Sequence, residues 1–207
     1  MATGLLVVLG LLGAPAGSLA QSTADAPGWG AFAAASFESK GPWGRVPGRD
    51  LFMVGVRRSK ALTSGRWTLF YRAALIPAAV LTNNEPVDLQ RIPGRLGNWA
   101  PSAPRSTAVG FGVMPLGLSL VTPRFRGLSA AGLVTMGLMW FEEAVPYRNA
   151  ARLNFAGEVG LEVRYGWSPR WSWLAGYRIH HLSNGGVGDV NPGLDGRLFH
   201  IGVELIR

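Results

Sequence analysis

Apolar and polar residues alternate along much of this chain with a period of two. The clearest stretch is RLNFAGEVGLEVRY, residues 152–165. Leu153, Phe155, Val159, Leu161, Val163 and Tyr165 share one parity; Arg152, Asn154, Glu158, Glu162 and Arg164 share the other. Successive side chains of a strand point to opposite faces, so this pattern predicts a strand with one apolar and one charged face. RWTLFYRAAL repeats it, with Trp67, Leu69, Tyr71, Ala73 and Leu75 opposite Arg66, Thr68, Phe70 and Arg72. Further strands are predicted at 29–38, 48–59, 65–76, 107–120, 129–141, 170–183 and 196–206, which with 152–165 makes eight. Those at 107–120 and 129–141 alternate weakly and their register is left open. Pro115 predicts a bulge or kink in the first of them.

The links between these strands alternate in length. KALTSG, TPRFRG and GWSPR are short, whereas the links near 39–47, 77–106, 142–151 and 184–195 are longer. The loop at 77–106 is the longest and carries five prolines. Short turns on one rim and long loops on the other are the habit of outer-membrane barrels, whose apolar faces meet lipid and whose polar faces line the lumen. The expected fold is therefore all-β: an eight-stranded antiparallel transmembrane β-barrel. Eight strands leave a lumen filled by side chains rather than an open pore. Glu158, Glu162, Arg164, Arg178, His200 and Glu204 fall on the inward parity, which predicts a buried, mutually paired network. A proton or ion path is the alternative reading of the same residues.

Composition agrees with this picture. The 207 residues include 29 glycines and 8 tryptophans but only 15% charged residues, which suits a membrane β-protein. No later segment has 18 uninterrupted apolar residues, which argues against a helical membrane protein. The absence of cysteine excludes disulfides and thiolate metal sites, and three histidines without paired acidic ligand spacing argue against zinc. We expect no metal and no cofactor. The formal charge of +8 fits either general basicity or attraction to an anionic surface. Without an arginine-rich helix or an aromatic RNA-binding motif, nucleic acid is not an expected partner. At the N-terminus, an apolar run from Leu5 to Leu12 is followed by small residues at Ser18–Ala20, as in a secretory signal peptide cleaved before Gln21. No Lys or Arg precedes the run, so the usual positive start is missing. The expected organisation is a signal peptide at 1–20 and a barrel at 21–207.

Polar side chains with catalytic potential crowd into HHLSNGGVGDVNPGLDG, residues 180–196. Trp171, Trp173, Ala175, Tyr177 and Ile179 set the lipid-facing parity of their strand, and His181 and Ser183 continue it. Ser172, Gly176, Arg178 and His180 point inward. In the last strand, Phe199, Ile201, Val203 and Leu205 face outward, and Asp195 joins them if the strand reaches so far. His181 and Ser183 are two residues apart on one face, roughly 6–7 Å between Cβ atoms. An imidazole spans that gap, and an acid on the adjacent strand would complete a Ser–His–acid arrangement. An interfacial polar rim that meets headgroups and water explains the same parity, and the spacing alone does not separate the two.

The segment GYRIHHLSNGGVGDVNPGLDGRLFHIGVEL resembles the C-terminal motif of the lipid A 3-O-deacylases, the PagL or acyloxyacyl-hydrolase-like family. The likeness lies in a His-x-Ser-Asn core, a downstream Asn-x-Gly and an acid before the final strand, and it extends more weakly back to about residue 107. The resemblance implies an eight-stranded outer-membrane barrel with its active site on the lipid-facing wall, hydrolysing the ester-linked acyl chain at position 3 of lipid A. Carried over by position, His181 is the general base, Ser183 the nucleophile and Asp195 the triad acid; Asn184 and Asn191 help an oxyanion hole or order the loop. The family pattern has glutamate where this chain has Asp195, one methylene shorter. If Asp195 does not reach His181, the acid is Asp189 or absent. Arg91, Arg95, Arg105 and Arg148 in the long loops are candidate ligands for lipid A phosphates.

Three functions follow from different classes. The first is a serine esterase acting on lipid A in the outer leaflet of the bacterial outer membrane. The second is a non-catalytic eight-stranded outer-membrane barrel with a structural or binding role. The third, a soluble lipocalin-like binder, requires the apolar faces to point inward, and the belt of Trp171, Trp173 and Tyr165 argues against it.

Overall fold

The computed structural model describes residues 28–37, 41–46, 48–83, 107–146 and 150–205. The expected signal peptide at 1–20 and the loop arginines Arg91, Arg95, Arg105 and Arg148 lie outside the described residues.

The alternating segments form eight antiparallel strands: β1 (Trp29–Ser36), β2 (Arg49–Ala61), β3 (Thr68–Asn83), β4 (Ala108–Val121), β5 (Leu128–Val145), β6 (Ala151–Gly166), β7 (Trp171–Ser183) and β8 (Leu194–Leu205). Each pairs with its neighbour in sequence and β1 pairs with β8, closing the barrel. Closure leaves no sheet edge, as a hydrocarbon environment demands. The wall polarity is that of a membrane barrel. Leu161, Phe199 and Ile201 are 63–70% exposed, while Glu162, Arg57 and His200 are buried in the lumen. Trp29, Trp67, Trp167, Trp171 and Trp173 lie exposed toward the rim of short turns, the amphipathic girdle expected where barrel meets headgroup. A soluble binder with apolar faces inward is excluded by this wall.

Proline shapes two strands: one runs past its expected end, and the other bulges at Pro115 as expected. β3 continues to Asn83, past the expected strand end at residue 76. The register of β3 slips against both neighbours around Pro77, between Val54 and Val56 on one side and Ile76 and Ala79 on the other. The extra residue on β3 accommodates a ring that has no N–H to give the ladder. Pro115 does the same in β4, where the register shifts against both β3 and β5. Outward residues before the bulge are Val109, Phe111 and Val113; after it they are Leu116, Leu118 and Leu120. The parity flips at the bulge, which is why this strand alternates weakly as sequence.

The lumen has two zones. Toward the termini lies the expected network, and Arg57 and Arg72 belong to it as well. Glu162 accepts from Arg57 at 2.7 Å, Arg72 at 3.0 Å, Arg164 at 3.2 Å and His200 at 3.2 Å. Glu204 pairs with Arg164 and Arg57, and Glu158 with Arg178 at 3.0 Å and His180 at 3.0 Å. Toward the rim of long loops the lumen is instead an apolar core, with Leu51, Met53, Ile76, Leu81, Met139, Phe141, Leu182, Leu194 and Leu198 among its members. β5 alternates weakly in sequence because its inward residues Met139 and Phe141 enter this core, making both of its faces apolar. The apolar core beneath the loop rim gives the wall above it a rigid backing.

Candidate active site

His181 sits on β7 near the loop rim, with its side chain outward and 30% exposed. In register, its neighbour on β8 is Asp195. Cross-strand neighbours share a face, so Asp195 also points outward, and β8 does extend far enough to include it. The two side chains meet: His181 Nδ1 lies 2.5 Å from Asp195 Oδ1. The aspartate therefore reaches the histidine, whereas Asp189 lies exposed in the loop. In a neutral imidazole this bond selects the Nδ1–H tautomer, and Nε2 has no hydrogen-bond partner among the described residues.

Asp195 faces outward yet is only 1% exposed. The segment 41–46, which follows β1, covers it. Val46 bridges to Leu194, and the Arg45 N–H donates to Pro192 O at 3.0 Å. The Trp43 backbone N–H donates to Asp195 Oδ2 at 2.7 Å, so each carboxylate oxygen has a donor. The Trp43 ring meets the His181 ring edge-on, 6.1 Å between centroids. Such close backbone approach needs glycine: a Cβ at Gly41 would overlap the Asp195 carboxylate, and one at Gly44 would overlap the Asp195 backbone. Sequence reasoning missed Trp43 and this segment. The signal was present as glycines flanking Trp43 in GPWGR, but its partner lies 152 residues away.

Ser183 ends β7 on the same outward face. Its Oγ accepts from Asn191 Nδ2 at 2.9 Å, and the Gly185 N–H lies 3.3 Å from it. Asn191 is oriented by the Asn184 backbone N–H, which donates to its Oδ1 at 3.1 Å. Asn184 itself is buried. Its Nδ2 donates to Val190 O at 2.7 Å and its Oδ1 accepts the Gly186 N–H at 2.9 Å. Both ends of that amide are occupied, so Asn184 orders the loop, and Asn191 is the asparagine that touches Ser183. Gly185 and Gly186 have φ of 64° and 83°, a left-handed pair that turns the chain straight out of β7. Among the described residues Ser183 Oγ makes no hydrogen bond to His181. The structure brings together His181 with Asp195, and Ser183 with Asn191, as two adjoining pairs. It sends His180 the other way, into the lumen and onto Glu158.

Residues 98–204, just over half of the chain, match the family Lipid A 3-O-deacylase (PagL). The chain belongs to this family. The match takes in β4 to β8 with His181, Ser183, Asn184, Asn191 and Asp195, but not the segment 41–46 that covers Asp195. Among solved structures, that of the outer membrane enzyme PagL is similar over 83% of this chain and 97% of its own, at 12% identity and a TM-score of 0.57. Neisserial surface protein A is similar over 89% and 99%, at 13% identity and a TM-score of 0.49. No curated protein sequence matches the chain. The PagL likeness is one of fold, and it agrees with the eight-stranded barrel and lipid-facing wall found here. The chain is a barrel of the bacterial outer membrane.

Proposed function

We propose that this protein is a lipid A 3-O-deacylase that works as a serine esterase on the outer wall of its barrel, in the outer leaflet. The observation that carries the reading is the cross-strand pair of His181 and Asp195 on the lipid-facing side, one step from Ser183. A histidine and a serine facing lipid are costly unless they serve a substrate that is itself in the membrane. Such a substrate diffuses laterally to the wall and needs no aqueous cleft.

Ser183 Oγ turns from Asn191 toward His181 Nε2, gives that nitrogen its proton and attacks the ester carbonyl. His181 becomes imidazolium, stabilised by Asp195, whose second oxygen stays on the Trp43 N–H. The tetrahedral oxyanion is received by the Asn191 Nδ2–H and the Gly185 N–H, the two donors within 3.3 Å of Oγ. The Gly186 N–H is already committed to Asn184. His181 then passes its proton to the sugar oxygen as that group leaves, and water, activated by the same imidazole, releases the fatty acid from Ser183.

The test is mass spectrometry of lipid A from cells that express the wild-type barrel or Ser183→Ala. The wild type removes one acyl chain and Ser183→Ala removes none, with both proteins assembled in the outer membrane. Intact lipid A in the wild-type cells would favour a structural or binding barrel instead, the role for which the Ser183–Asn191 pair would suffice.

A further inference from the structure

Gly157 occupies the position on β6 that pairs with His181 on β7 and with Met136 on β5. The outward positions around it form a three-by-three array: Leu138, Met136 and Val134 on β5, Phe155, Gly157 and Val159 on β6, and Ser183, His181 and Ile179 on β7. The centre of that array has no side chain.

Nothing in the fold requires glycine there. Its φ lies outside the left-handed region. A Cβ at this position would meet no heavy atom within 4 Å. Gly160, three residues on and facing the lumen, is the opposite case: a Cβ there would run into the Tyr177 carbonyl and the Arg178 side chain. A strand glycine without a steric or conformational reason costs about 0.5–1 kcal/mol relative to alanine. The Phe155 ring leaves the gap open, because it lies against Gly185 on the loop side. The result is a notch one side chain deep, walled by His181 and Ser183 on one flank and by Met136, Val134 and Val159 on the others.

We propose that this notch seats the first methylenes of the acyl chain beside the ester that is cleaved, which makes Gly157 a specificity-determining position. The proposal rests on the esterase reading above. A carbonyl carbon within reach of Ser183 Oγ needs its α-carbon to lie against the wall next to His181, and the wall recedes at Gly157. Beyond it the chain continues over Val159, Ile179 and Val134, which are apolar and lipid-facing. Gly132 gives a matched control. It is also outward on β5 and also open to a Cβ, but it pairs with Leu161 and Leu120, away from the polar cluster.

The experiment compares initial rates of acyl release from lipid A by the detergent-purified barrel and by Gly157→Val, Gly132→Val and Ser183→Ala. Folding is followed by heat-modifiable gel migration and by the urea midpoint. Valine on an open strand position should leave the midpoint unchanged or raised. Gly157→Val is expected to lose at least about tenfold in kcat/KM while Gly132→Val stays within about twofold, the difference one obstructed methylene seat makes. If the wild type is active, Ser183→Ala is inert and Gly157→Val keeps its rate within twofold, the notch proposal is overturned while the esterase reading stands. If the wild type and Ser183→Ala release no acyl chain alike, the esterase reading falls and the notch with it. Should Gly157→Val fail to assemble, Gly157→Ala carries the same comparison, with a loss of about threefold expected and a wild-type rate overturning the proposal.

Discussion

His180 and His181 are adjacent in the chain and each places Nδ1 on a carboxylate, at 3.0 Å from Glu158 and 2.5 Å from Asp195 respectively. Their surroundings could hardly differ more. His180 is fully buried in the lumen, where Glu158 also takes Arg178 and Thr135 and the next carboxylate, Glu162, holds four arginines and His200. Its Nε2 is buried without a partner among the described residues. His181 looks out of the wall with Asp195 behind it and an Nε2 that has no partner among the described residues. One turn of the pleat separates a group built into the scaffold from a group that can exchange a proton with a ligand. The lesson is that a histidine–carboxylate contact carries no function by itself; what decides is whether the second nitrogen faces a place that a substrate can enter.

His181→Ala separates the roles of the two histidines most clearly. On the proposed mechanism it removes the base, and acyl release should fall by at least about 10⁴-fold, since the members of such a triad act as a unit. The urea midpoint should fall only slightly, because Asp195 keeps the Trp43 N–H and the ring itself is partly exposed. A variant that unfolds but keeps its specific rate would reverse the assignment of the two histidines.

Glu162→Ala is the counterpart on the lumen side. It leaves Arg57, Arg72 and Arg164 buried without their shared acceptor, and removal of one partner from a buried ion cluster costs about 3–5 kcal/mol. Denaturant titration in lipid or detergent measures this loss. The molecules that still fold should retain their specific rate, because the apolar core around Leu182 and Leu198 lies between the network and the loop rim.

His180→Ala gives a smaller effect of the same kind. Glu158 keeps Arg178 and Thr135, so the loss is about 1–3 kcal/mol from one hydrogen bond and the vacated volume. Specific activity should stay within about twofold. An activity loss larger than that, at unchanged folding, would mean that the lumen histidine communicates with the wall.

Much of this division can be read in the alternation of residues. Inward and outward parity on β6, β7 and β8 separates His180 from His181 because both flanking strands alternate strictly, and the family motif names the same outward residues. Parity becomes unreadable in two circumstances. At Pro115 a bulge flips it, and on β5 both faces are apolar because the lumen beneath the loop rim is a greasy core. The cover on Asp195 is hidden for a different reason. It depends on a backbone N–H at Trp43 reaching a side chain at the far end of the sequence, and a backbone donor leaves no mark on residue identity. Only the glycines at 41 and 44, which permit the approach, betray it.

That cover also bears on the length of the acid. Asp195 is held from both sides, by His181 at Oδ1 and by Trp43 N–H at Oδ2, and the chain at Gly41 lies so close that a single Cβ would overlap the carboxylate. The family pattern carries glutamate at this place, so Asp195→Glu restores the family residue. The geometry nevertheless predicts a loss here. One more methylene drives the carboxylate into the covering segment or past Nδ1, at the cost of about 1–3 kcal/mol typical of an overpacked site. The strain is relieved by lifting residues 41–46, which exposes the acid to headgroups and water and loosens the orientation of the imidazole. Acyl release by Asp195→Glu should therefore fall by about three- to tenfold, with a lowered urea midpoint. A rate above wild type would show that the short acid is a handicap and that the covering segment does not position it.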